Sequence, residues 1–235
     1  MSQFPNSFLD SLKSADRSLL PTSLKPIELQ QGAVLFEAGS EIEKIYFPYG
    51  GVVSLVAQLA GGEMIECAMI GRDGLVGGAV ALGAAASLFK AIVQISGSAA
   101  VIDAERLRSA ADKSATLRVM LFRHEQLILA QTQQSAACNA AHTVEARLSR
   151  WLLRCRDLQG SDELKLTQEF LAQMLGVRRT SVSLVATTLQ NAGLIRYSRG
   201  NIRILDLGGL QAAACECYET VKVQAERLLG RAHRH

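Results

Sequence analysis

Histidine is scarce: there are four in 235 residues, and two of them stand at the extreme C-terminus. No Ser-His-Asp arrangement, H-E-x-x-H pair or Walker loop can be assembled from the chain, so an enzyme is the weakest reading and no catalytic residue is expected. The five cysteines, Cys67, Cys138, Cys155, Cys215 and Cys217, are odd in number and spaced neither as a disulfide framework nor as a zinc finger, which fits a reducing cytosol. The N-terminus lacks the basic stretch and long apolar core of a signal peptide. The most apolar run, residues 74–89, is 16 residues long and contains four glycines, short of the roughly 20 needed to cross a bilayer. These absences predict a soluble cytoplasmic chain with no membrane partner, no cofactor and no bound metal.

Charge is unevenly spread. Residues 1–113 carry 9 basic and 12 acidic side chains, whereas residues 147–203 carry 10 basic and 4 acidic. A local surplus of six positive charges beside a mildly acidic half is the footprint of a nucleic-acid module joined to a part with another task.

The basic region contains the most informative stretch, LTQEFLAQMLGVRRTSVSLVATTL, residues 166–189. Thr167 can cap a helix, Glu169 suits its positive end, and Leu171 and Leu175 recur at i, i+4. Gly176 can end that helix in a left-handed conformation. Val182, Val185 and Leu189 then supply the apolar stripe of a second helix, with Ala172 small enough for the two to cross closely and Val177 placed to plug the corner. This is a helix-turn-helix. Arg178, Arg179, Thr180, Ser181, Ser183 and Leu184 crowd the first turns of the second helix. Two cations there oppose the helix dipole, so an anionic partner is expected to compensate them. In such units that end of the helix enters the major groove, where arginine pairs with guanine and hydroxyls reach bases or phosphates. Arg179 is the first candidate for base readout, and Leu184 offers an apolar contact to a thymine methyl. After the stop signal Asn191-Ala192-Gly193, two short β-prone runs surround a Gly-Asn turn, forming a wing with Arg196, Arg199 and Arg203 directed at phosphates.

The rest of the chain divides by periodicity. Residues 7–20 predict one amphipathic helix with Phe8, Leu12 and Leu19 as its apolar face. From Ile27 to Ile102, short apolar runs alternate with glycine turns at the interval of an all-β roll or barrel; strands are expected at residues 33–36, 44–47, 51–56, 64–70 and 91–95. Helical spacing returns over residues 115–135 through Leu117, Met120 or Leu121, His124, Leu127 or Ile128, and Gln131. That stripe serves equally as an interface between two copies or as a helix packed on its own domain. Residues 137–143 are the expected hinge. The segment from Gly208 to His235 reads as one amphipathic helix covering the DNA-binding half, followed by a basic tail.

With residues 144–153, VEARLSRWLL, leading into the helix-turn-helix and wing, and with the glycine-rich half before them, the chain resembles the Crp/Fnr family of bacterial transcription regulators over nearly its whole length. The resemblance implies an α+β fold: an N-terminal double-stranded β-helix, that is, a cyclic-nucleotide-binding-like β-roll (residues 1–113), a long dimerisation helix and hinge (114–142), and a C-terminal winged helix-turn-helix (143–235). It further implies a homodimer reading a palindromic operator in double-stranded DNA through helix 178–190, and contact with RNA polymerase. The phosphate cassette of cyclic-nucleotide-binding relatives falls on residues 70–79, giving Gly71, Gly74, Gly77, Gly78, Phe89 and Lys90 as the candidate effector pocket. Here the chain departs from its relatives. Gly78 takes the place of the ribose-binding glutamate, and Phe89, or Lys90 with a slip of one residue, that of the phosphate-binding arginine, so cyclic AMP is not expected to bind in the usual way. Relatives also place an arginine where Leu184 stands, so their usual target sequence is not carried over.

Iron–sulfur sensing is disfavoured because the N-terminal half holds only Cys67. Haem ligation through His124 or His142 stays open. Cys138 and His142 lie at i, i+4, but two ligands close no metal site; Cys215 and Cys217, on a continuous helix, would point to different faces and serve packing. The alternative to a DNA reader is a small-ligand-binding signalling module whose C-terminal domain acts mainly through protein contacts.

Overall fold

A computed structural model describes residues 5–21, 24, 26–84 and 86–229 of the chain. Where one N-terminal helix is expected, two single turns form, α1 (Ser7–Asp10) and α2 (Ser14–Arg17). Asn6 explains the first: its side-chain oxygen caps Leu9 N while its amide donates to the carbonyls of Pro48 and Gly74, both at 2.8 Å. Phe8 and Leu9 are thereby fixed in the core, and Leu19, expected there, is left exposed.

Seven strands follow: β1 (Pro26–Leu29), β2 (Val34–Phe36), β3 (Lys44–Pro48), β4 (Val52–Gln58), β5 (Met64–Ile70), β6 (Lys90–Ile95) and β7 (Gly97–Asp103). They form two antiparallel sheets, ordered β1-β7-β3 and β2-β6-β4-β5. Sequence patterning marked five of the seven. β1 escaped because three of its four residues are exposed, and β7 because its small residues, Gly97-Ser98-Ala99-Ala100, lack β-branched character. Those small residues have a reason: a Cβ at Gly97 would meet the Gly50 carbonyl at 2.1 Å, so only glycine fits. Leu29, Val53, Leu55, Ile70 and Val93 fill the space inside the roll.

Two helices then close the roll, α3 (Ala104–Lys113) and the 27-residue α4 (Ala115–Ala141). Ser114 caps α4 by accepting from Leu117 N, and its hydroxyl donates to buried Asp16. The helix runs through residues 137–141 of the expected hinge, and the joint narrows to the last two residues of that range, His142 and Thr143, before α5 (Val144–Gln159). Among the described residues no helix is long and apolar enough to cross a membrane.

The C-terminal half comprises α5, β8 (Glu163–Lys165), α6 (Gln168–Leu175), α7 (Arg179–Asn191), the hairpin β9 (Ile195–Ser198) and β10 (Asn201–Ile204), then α8 (Leu207–Ala213) and α9 (Cys217–Leu229). The expected single C-terminal helix is broken at residues 214–216, where Ala214 adopts an extended φ/ψ of −79°/153°. α8 packs on α5, while α9 runs mainly along α4 instead of covering the DNA-binding half. The expected basic tail, residues 230–235, lies outside the described residues.

The two halves share one continuous core: Val52, Val56 and Met69 of the roll sit with Trp151, Leu158 and Leu175 of the C-terminal half. Trp151 Nε1 donates to Glu66 at 2.9 Å, and Arg154 pairs with Asp73 at 2.6 Å. Buried Glu66 is pushed up to about 7, first by desolvation, with Ser54, Arg150, Trp151 and Arg154 pulling the other way. Ser54 Oγ stands within reach of both Glu66 Oε2 and Gln94 Oε1. One hydroxyl hydrogen cannot serve both acceptors, whereas a protonated Glu66 donates to Ser54 and frees it for Gln94.

Candidate nucleic-acid interface

Thr167 caps α6 by accepting from Phe170 N, and Gly176 at φ 61° ends it, as the residue types require. Val177 N returns to Ala172 O at 3.0 Å, which sets the tight corner. Leu171, Leu175, Val182 and Leu189 are buried between the two helices, as is Ala172, and Val177 and Val185 pack against the same core. The helix-turn-helix is therefore built as its sequence indicates. From below, Arg147 of α5 donates to the Leu175 carbonyl and holds the end of α6.

This packing turns Arg178, Arg179, Thr180 and Leu184 outward. All four are exposed, Leu184 at 70%, and Ser181 is half-buried. Arg178 occupies the cap position of α7 without bonding to it through its side chain, leaving the helix N–H groups and the positive dipole end facing solvent with two guanidinium groups beside them. Ser183 differs from its expected role. Its hydroxyl donates to Gln168 Oε1 at 2.7 Å and also lies 3.1 Å from Arg179 O, tying α7 to α6 rather than standing free for a base.

The wing is a three-stranded antiparallel sheet, ordered β8-β10-β9. Its turn is Arg199-Gly200, at φ 48° and 78°, and Asn201 already pairs with Ser198 in the ladder. The turn thus lies one residue before the expected Gly-Asn position, with Arg199 itself in the left-handed region at the tip, as a two-residue turn of this hand demands. Strand alternation sends Ile195, Ile202 and Ile204 into the core. Arg196 and Arg203, which pair across the strands, therefore share the opposite face, and there they line a cleft toward Gln31, Ile95 and Ser96 of the roll. Tyr197 N donates to Gln190 Oε1 at 2.8 Å and fastens the wing to α7.

Sequence counting overstates the cations on this surface. Arg147 is buried, and Arg154 lies against Asp73 at the seam with the roll. Arg156 pairs with Asp162 at 2.6 Å.

The candidate effector pocket gathers only some of the expected residues and carries a charge of the other sign. A cavity of about 110 Å³ opens between the roll and α4, lined by Phe36, Leu55, Gly77, Gly78, Phe89 and Glu125 among others. Gly71 and Gly74 lie elsewhere: a Cβ at the first would strike Leu158, and at the second His124. Lys90 is paired with Glu37 at 3.2 Å. The ionisable side chain on the cavity wall is Glu125, whose Oε1 is buried without a hydrogen-bond partner among the described residues. A carboxylate and no cation is the wrong arrangement for a phosphate. His124 accepts from Leu75 N at 3.2 Å through Nε2 and packs edge-on against Phe8, while its Nδ1 lies 3.6 Å from Glu125 Oε1.

Residues 146–213 match the Crp-like helix-turn-helix domain. FixK2 from Bradyrhizobium japonicum superposes with a TM-score of 0.70 at 16% identity, over 82% of this chain and 98% of that one. The chain has the Crp/Fnr fold. A transcriptional regulator of the Crp/Fnr family from Eubacterium rectale superposes at 0.67 with 18% identity, over 89% of this chain and 98% of that chain. The c-di-GMP-responsive global regulator CLP of Xanthomonas campestris gives 0.66 at 16% identity, over 83% and 100%. No curated protein matches the sequence. The Crp/Fnr arrangement is seen in its three parts: the β-rich N-terminal half, the long helix α4 and the helix-turn-helix of α6 and α7.

Proposed function

We propose that this Crp/Fnr-type chain acts as a homodimer that reads a palindromic promoter site, with the N-terminal turn of α7 in the major groove. The observation that carries the reading is the outward-facing set Arg178, Arg179, Thr180 and Leu184 at a helix N-terminus without a side-chain cap, with half-buried Ser181 beside them. Arg179 reads a base, Leu184 contacts a thymine methyl, and Arg199 at the wing tip holds a phosphate. Arg196 and Arg203 approach the backbone only from the cleft side of the wing and contribute less.

A second copy has a seat on α4. The stripe anticipated from sequence, Leu117, Leu121, His124, Leu127, Ile128 and Gln131, is buried against the chain's own roll. A second row, Val119, Phe122, Gln126, Leu129 and Gln133, recurs at alternating steps of three and four on the other side, and Val119, Phe122 and Leu129 are about half exposed. Three large apolar side chains in solvent along one heptad-like seam are the mark of a helix that pairs with its copy.

The test is selection of DNA from a random duplex pool by the purified chain. A palindrome with half-site centres about 10 base pairs apart is expected. Binding should weaken with salt by roughly one log unit per log salt for each phosphate contact. Failure to enrich any sequence, both alone and with added cell extract, would overturn the reading. A salt slope near zero would favour a domain working through protein contacts.

A further inference from the structure

The geometry points to a metal site at the joint between the long helix and the C-terminal half: Cys138, His142, Cys215 and Cys217 hold a tetrahedral, thiophilic divalent ion, zinc by its ligand chemistry. Cys138 lies in the last turn of α4, and His142 is the extended residue that caps it, its N–H bonding back to the Cys138 carbonyl at 3.1 Å. The break between α8 and α9 brings the other two in: Cys215 lies in the non-helical joint and Cys217 begins α9, so their thiols converge instead of diverging as they would on an unbroken helix. The four potential ligand atoms all lie within 4.8 Å of one another. The Cys138 and Cys215 sulfurs are 3.5 Å apart, and Cys217 Sγ is 3.6 Å from His142 Nδ1. Zn–S bonds of about 2.3 Å and Zn–N bonds of about 2.0 Å at tetrahedral angles require edges of roughly 3.8 and 3.5 Å, so little movement is needed.

The surroundings are those of a ligand set rather than of a simple thiol cluster. With Nδ1 turned to the sulfurs, His142 directs Nε2 at Glu216 Oε1, 3.2 Å away. A carboxylate behind a ligating imidazole fixes its tautomer and raises its basicity. Gln134 Nε2 donates to Cys217 Sγ at 3.0 Å, a bond that strengthens when the sulfur is a thiolate. Binding displaces the protons of three thiols, and a divalent ion with three thiolates and a neutral imidazole carries one net negative charge. Arg147 lies close enough to Cys138 and Cys215 for a Coulombic interaction, and its buried Nε has no hydrogen-bond partner among the described residues. The ion would join the end of α4 to the start of α9 and so fix the angle at which α5 leaves the His142-Thr143 joint.

The experiment uses the full chain purified in reductant. Mass spectrometry under native conditions should find one zinc per chain, and cobalt(II) exchanged into the site should give the intense visible bands of a tetrahedral thiolate complex. Cys215→Ser should abolish retention, whereas Cys67→Ser, outside the cluster, should leave it unchanged. Glu216→Gln, at an exposed residue that cannot disturb folding through packing, should weaken metal binding about 10- to 100-fold. A chain that retains no zinc with all thiols reduced, an octahedral cobalt spectrum, or equal retention by Cys67→Ser and Cys215→Ser would each overturn the proposal. So would a Cys138–Cys215 disulfide that forms in air at the same rate whether or not zinc is supplied to the reduced chain.

Discussion

The C-terminal half turns two unlike faces to its surroundings. Outward, the start of α7 presents Arg178, Arg179, Thr180 and Leu184 to solvent on a helix that packs against α6, α5 and the wing strand β9. Inward, α5 presents Trp151, Arg154 and Leu158 to the roll, where they meet Glu66, Asp73 and the floor of β4 and β5. The outward face works by leaving charged groups unpaired for a partner still to come, and the inward face by burying or pairing every group it can. Loss of a side chain from the first should alter recognition with little change in stability, and from the second should do the reverse.

The largest expected effect lies on the inward face. Trp151→Ala should cost about 3–5 kcal/mol of stability by leaving a cavity at the shared core, visible as a large fall in melting temperature. Leu184→Ala, outward, should stay within about 0.5 kcal/mol. Equal losses from the two would erase the distinction.

Next comes pH. Glu66 titrates at about 7 in the folded chain, above its ordinary value, so between roughly pH 5 and 7 the folded state holds a proton that the unfolded state has released. The associated stability is full below that window and is lost as pH rises through it, by about 3 kcal/mol at most. Denaturant melts from pH 5 to 8 should show this decline, and Glu66→Gln should flatten it. An unchanged pH slope in the variant would show that another group carries it.

Arg179→Ala should cost about 1–3 kcal/mol in specific DNA binding and relax preference at one base pair, with the melting temperature preserved. Wild-type affinity for both selected and scrambled duplex would remove Arg179 from the reading set. The smallest effect separates the wing residues. Arg199→Ala should lower the salt slope by about 1, and Arg196→Ala by less. The reverse order would mean that DNA lies on the cleft side of the wing.

Legibility followed the range of the interactions. Thr167, Gly176 and the Val182–Leu189 stripe act on neighbours within a few residues, so the helix-turn-helix was readable by spacing alone. Ser183 was not, because its partner Gln168 sits on the preceding helix and a hydroxyl gives no sign in sequence of which acceptor it has found. The wing turn slipped by one residue because Gly-Asn and Arg-Gly satisfy similar rules until strand pairing chooses between them. In the roll, β7 hides behind small residues whose value is close backbone approach.

By itself, the sequence determined the order of parts: β-rich half, long helix, helix-turn-helix and wing, since each is written in hydrophobic period, caps and turn residues that act locally. Only the tertiary structure decided which stripe of α4 is buried, which arginines remain in solvent, how small and acidic the roll cavity is, and that Cys138 and His142 meet Cys215 and Cys217. These depend on segments about 75 residues apart arriving at one point, and the break after Ala213 that brings the thiols together is set by packing on α4 and α5. Local periodicity carries no record of such meetings, because their energy is realised only once the chain has closed on itself.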